Sequence, residues 1–106
     1  MANNSPRHQY CGSTEACWHP VTLISGANVA VSGLAGYQVK VYSVFLGAAS
    51  STNITLQDGG TPFTGAIPMT GMAFDTQDKP FICSKGNDFV ITSTGNAAGS
   101  IFASVN

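Results

Sequence analysis

Residues 37–46 read YQVKVYSVFL, and they decide the fold. In an extended chain Val39, Val41, Ser43 and Phe45 fall on one side, and Gln38, Lys40, Tyr42, Val44 and Leu46 on the other. The first set is mostly apolar at a period of two, the pattern of a half-buried strand. The second half of the run is apolar on both sides, so it is expected to lie deeper, between two layers.

Working outward, residues 52–56 (TNITL) alternate Thr52, Ile54 and Leu56 with Asn53 and Thr55, and predict a second strand. Gln57-Asp58-Gly59-Gly60 follows as a turn, because Asp-Gly supplies the positive φ that tight hairpins need. Further strands are expected at 62–68, 72–75, 80–83, 88–92 and 100–105. The small-residue segments 47–52 and 95–99 read as loops. From Val21 onward the chain is short strands and turns with no helical period, which predicts an all-β, antiparallel, jelly-roll-like sandwich over residues 20–106. Residues 1–19 are polar and irregular, and read as an extended N-terminal arm.

Composition narrows the function. The chain has 106 residues, 43% of them apolar, but only 8% charged against the ~25% usual for a soluble domain. Its four basic residues (Arg7, Lys40, Lys79 and Lys85) are scattered, so the clustered basic face that nucleic acid requires is missing. No run approaches the roughly 20 apolar residues that cross a bilayer, and MANNSPRHQY lacks the apolar stretch of a signal peptide, so neither membrane nor secretory pathway is expected. So little charge also means little repulsion between copies, and suits a surface that is partly covered in the working state.

Residues able to do chemistry are sparse. Asp58, Asp75, Asp78 and Asp88 sit in or beside turns, where Asp commonly bonds its own backbone, and no nucleophile, base or phosphate-binding motif accompanies them. The chain is therefore expected not to be an enzyme and to need no cofactor. In the arm, His8, Cys11, Cys17 and His19 are ligand-type residues, but the Cys11 to Cys17 gap is wider than usual for zinc and Cys17 to His19 is tight. Packed thiols, a disulfide and a zinc site remain open, packed thiols being the simplest. Cys83 reads as a small core residue. Arg7, His8, Tyr10 and Trp18 are the candidate contact residues, since Trp, Tyr and Arg dominate protein interfaces. An exposed Trp18, Tyr37 or Tyr42 could instead stack on a sugar.

The order of several segments then carries a resemblance. GYQVKVYSV at 36–44 resembles a "G-x-x-I-x-V-x-S" strand, NITLQDG at 53–59 a "V-T-F-x-D-G" hairpin, and TGAIPM at 64–69 an "L-T-G-x-x-x-L" segment. GNDFVIT at 86–92 matches "G-x-x-L-x-I-x", and GSIFASV at 99–105 a closing strand. Together, over roughly three-quarters of the chain, they resemble the small jelly-roll modules of tailed-bacteriophage virion proteins, found in capsid decoration (cement) proteins and in tail fibres. The resemblance implies a self-associating module, often a homotrimer, attached to a phage particle. As a capsid decoration protein it would bind the major capsid protein on the shell surface, after assembly in the host cytoplasm. A tail-fibre or baseplate module binding a host receptor or glycan is the alternative. The arm with Cys11, Cys17 and Trp18 matches no motif of such modules.

Overall fold

Strand β3, Val39–Asp58, runs for 20 residues through both halves of the molecule and organises the rest of it. The computed structural model describes residues 16–76 and 79–106. The other strands are β1 (Cys17–Leu23), β2 (Gly26–Val31), β4 (Thr61–Pro62), β5 (Ile67–Asp75), β6 (Phe81–Ile82), β7 (Phe89–Ser93) and β8 (Ala97–Val105). All pairings are antiparallel, in one sheet that runs β1-β8-β3-β7-β2, with β4, β5 and β6 also attached to β3. The first half of β3 pairs with β8 and the end of β5; its second half pairs with β7 and the start of β5. The sheet therefore curls around a single core that includes Leu23, Val39, Val44, Ile54, Phe89 and Ile101. No helix occurs among the described residues, so the all-β, antiparallel class expected from the alternation is present.

Several local expectations are corrected. Residues 47–52, expected as a loop, continue β3: Gly47 pairs with Gly71 and Thr52 with Met69, and the register shifts between them. Small side chains there allow the strand to bend without leaving the sheet. Residues 97–99, also expected in a loop, pair with Val21, Thr22 and Leu23 as the start of β8. Residues 62–68 are not one strand. Only Thr61–Pro62 pairs, as the return of the predicted Asp58-Gly59 hairpin with Gly59 at φ 56°, and Ile67 already belongs to β5. β1 begins at Cys17, inside the segment 1–19 read as an arm, because Val21 and Leu23 bury their side chains and carry the preceding residues into the sheet.

The correction with most consequence lies in the opening heptad of β3. Val41 pairs with Ala103 but Ser43 pairs with Phe102, so Tyr42 is the extra residue of a β-bulge. The alternation slips by one at that point. Val39 and Val41 face inward as expected, but beyond the bulge Val44 and Leu46 take the inward positions, while Phe45, expected on the Val39 face, is 49% exposed.

Gly99 allows β8 to lie against β3. A Cβ at this position would overlap the carbonyl oxygen of Phe45 and come within 2.9 Å of Leu46 Cα, both backbone atoms that cannot yield cheaply. Gly65, by contrast, faces open space. Gly99→Ala should therefore lower unfolding free energy by about 3 kcal/mol or more in urea titration, and Gly65→Ala should stay within about 0.5 kcal/mol of the parent.

Candidate functional site

The bulge places large rings on the outside of the sheet. Across β1, β8, β3 and β5, one cross-strand row holds Trp18, Phe102, Ser43 and Asp75, and the next holds Pro20, Ser100, Phe45 and Ala73. Trp18 stacks obliquely on Phe102 at 4.8 Å and on Phe45 at 5.4 Å between ring centroids, and Tyr42 extends the cluster at 6.3 Å from Phe102. These distances suit favourable tilted ring pairs. Even so, Trp18 remains 47% exposed. Between Trp18 and Phe45 on one side and residues 73–75 on the other lies a groove of about 380 Å³ with Ser43 in its lining. Asp75 is the only charged residue of these two rows.

The sheet margins, in contrast, are poor templates for an added strand. Pro20 sits within β1, Pro68 within β5, and β2 carries a register shift between Val29 and Val31. Prolines and bulges on edge strands discourage further pairing.

Of the contact residues expected from the sequence, Trp18 is the one the structure places, at the centre of this cluster. Arg7, His8 and Tyr10 lie outside the described residues. Phe45 and Phe102 were not singled out by sequence. Phe102 follows Ile101 in a strand, but nothing in the chain announces the bulge that turns Phe45 outward. Of the aromatics considered for sugar stacking, Trp18 and Tyr42 belong to this cluster, whereas Tyr37 sits in the turn before β3, where its backbone N–H donates to the Leu34 carbonyl.

The remaining reactive groups have structural work. Asp58 accepts bonds from the Ser84 N–H (3.0 Å), the Ser84 hydroxyl (3.0 Å) and Asn87 Nδ2 (2.8 Å). Partial desolvation pushes its pKa up, but these donors together outweigh that and hold it below 3.8. Asp88 accepts the Gly33 N–H at 2.7 Å. Cys83 is wholly buried, and desolvation with the nearby charges of Asp58 and Asp88 pushes its thiol up to about 12, far from a reactive thiolate. His19 is half-buried, its Nε2 3.3 Å from the Ala103 carbonyl. Cys17 is disulfide-bonded, which corrects the packed-thiol expectation at that residue; a bonded sulfur is also no longer a zinc ligand. Cys11 and His8 lie outside the described residues. Among the described residues no three His, Cys, Asp or Glu side chains converge on a metal-sized site.

Comparison with protein-family models, with curated proteins and with solved structures finds no match to this chain.

Two tests follow from the site chemistry. Because Asp58 titrates lower when folded than when unfolded, the stability it contributes is complete above about pH 4 and is lost as pH falls through the depressed value. Acid denaturation should accordingly be shallower in Asp58→Asn, which keeps the turn's size but cannot titrate. Native protein at pH 8 should leave Cys83 unmodified by a thiol alkylating agent, with labelling appearing only on addition of denaturant.

Proposed function

We propose that this chain is a non-enzymatic structural module that decorates the outside of an assembled phage capsid and stabilises it. The observation that carries the reading is the exposed aromatic face built on Trp18, Phe45 and Phe102. Rings held on a rigid sheet in a nearly uncharged surface are the composition of an interface centre, where aromatic residues are enriched and charges depleted. Catalysis asks for the opposite, a cleft in which titratable groups converge, and Asp58, Cys83 and Asp88 are each engaged in turns or core.

In this reading the curled sheet is a jelly-roll-like sandwich. The pairing of the two halves of β3 with different partners supports it, as does the passage of β1–β2 and β7–β8 from one half to the other. The residues ahead of β1, 1–16, then form the arm. It delivers Arg7, His8 and Tyr10 to the major capsid protein beside Trp18, which β1 anchors at the arm's root. A module that binds only the assembled shell lowers that shell's free energy by mass action. The disulfide at Cys17 suits a particle released into an oxidising medium. The phage setting itself rests on the sequence resemblance.

One observation favours the tail-fibre alternative: the groove joins aromatic walls to Ser43 and Asp75, a lining that could accept a sugar ring and its hydroxyls. The same variants separate the two. Trp18→Ala combined with Phe45→Ser should leave the fold intact, since both side chains lie on the outside. It should weaken binding to undecorated shells by about thirtyfold, the scale of one interface hot spot. Full shell occupancy by this variant would overturn the docking face, and loss of host-cell or glycan binding with shell binding unchanged would favour the fibre reading.

A further inference from the structure

The charged side chains of the described residues are Lys40, Asp58, Asp75, Lys79, Lys85 and Asp88. None lies in residues 20–28, 44–54, 67–74 or 91–101. The strand pairings bring parts of these four segments together at one end of the molecule, where β1 turns into β2, β3 bends through residues 48–51, and residues 94–96 join β7 to β8. Asp58, Lys85 and Asp88 gather at the other end, around the Asp58-Gly59 and Ser84-Asn87 turns. Among the described residues the molecule is therefore polar along its length, with a charged end and a charge-free tip.

The tip carries a built feature. Ile24 is 63% exposed, more than any other large apolar side chain described. An apolar residue on a short turn would ordinarily be free to move, but Asn28 holds this one. Its Oδ1 accepts the Ile24 N–H at 3.1 Å, and its Nδ2 donates to the Ile24 carbonyl at 2.9 Å and to the Ile91 carbonyl at 3.1 Å. Both backbone groups of Ile24 are thus tied to one side chain that is itself tied to β7. Ile24 lines one wall of a groove of about 340 Å³ whose floor and far side are largely Gly47, Ala48, Ala49, Ala97 and Ala98. An apolar side chain on an anchored backbone thus forms the rim of a shallow apolar groove.

We propose that the charge-free tip is a self-association surface, on which Ile24 of one copy seats in the Ala48–Ala98 groove of a second copy of this chain. The tip supplies both halves of the contact, as association between identical chains requires. No charge has to be desolvated and none is repelled when two tips meet. Fixing Ile24 beforehand reduces the ordering that binding must impose. The area sets the strength. Taking the long axis to run from tip to charged end, the tip measures at most 30 × 23 Å, somewhat under the ~800 Å² per partner of a standard interface. Association should therefore be weak and rise with concentration. The surface is separate from the Trp18 cluster, so the inference holds or fails independently of the shell partner.

Sedimentation and light scattering of the whole protein over roughly 1–500 μM test it. The parent should rise from the 10.9 kDa monomer mass to a dimer or trimer with increasing concentration. Ile24→Asp should remain monomeric throughout, with an unchanged circular dichroism spectrum, and Ala98→Glu should do the same by filling the groove. Val29→Asp, which charges an equally exposed apolar position elsewhere, should associate like the parent, and so should Trp18→Ala. A parent that stays monomeric at every concentration, or an Ile24→Asp variant that assembles as the parent does, overturns the proposal. Loss of shell binding by Trp18→Ala with its self-association intact marks the two surfaces as distinct.

Discussion

Five of the other seven strands hydrogen-bond to β3, and that shared strand is the constraint on which the structure depends. A 20-residue strand cannot stay straight across a molecule whose longest dimension is 41 Å, because at about 3.3 Å per residue it would overrun the molecule. It bends where its side chains are smallest, between Gly47 and Thr52, and the sheet bends with it. Each half then recruits its own partners, and Val44 and Leu46 from one half share a core with Ile54 and Leu56 from the other. The close approach at Gly99 is part of the same constraint. β8 lies beside the first half of β3, where the Phe45 carbonyl leaves no room for a side chain.

The bulge at Tyr42 links this framework to the surface. Without it, strict alternation would place Phe45 inward with Val39 and Val41 and leave Val44 and Leu46 in water. One extra residue reverses the assignment for the remainder of that segment. The core gains two aliphatic side chains, and the outer face gains a ring that meets Trp18 from β1 and Phe102 from β8. A second aromatic group, Phe63, Phe74 and Phe81, packs against buried Phe89 within the curl. Rings are thus used in two ways in this protein. One set fills the core margin and the other is displayed.

Charge is sparse among the described residues, and half of it gathers around the turns at one end. Asp58 and Asp88 tie down the turns at one end by accepting N–H and hydroxyl donors, which is structural work that needs no cationic partner. The opposite tip and the aromatic face hold almost none, so the two surfaces best suited to contact are those where desolvation costs least. An uncharged surface of this kind is a liability for an isolated monomer and an advantage within an assembly.

The sequence by itself determined the class of fold. Alternating β-branched and polar residues at 39–41, 52–56 and 89–92, with Asp58-Gly59 between runs, required antiparallel strands and left no helical period. It also marked Cys83 as core, because side-chain chemistry alone argues for that, and it singled out Trp18, which the fold leaves half-exposed among other rings. What it could not determine was anything set by a neighbour distant in the chain. Residues 48–51 are carried within β3 by the pairing of Gly47 and Thr52 on either side of them, and residues 97–99 become strand by pairing with β1, although Ala, Ser and Gly carry little strand preference of their own. The slip at Tyr42 exists only relative to β8, so no periodicity within β3 could announce it. The companions of Trp18, the small-residue groove beside Ile24 and the separation of charge along the molecule depend on which strands lie side by side. Tertiary structure decided these, because a curled sheet brings together residues from opposite ends of the chain and turns each one inward or outward according to the register of its partner.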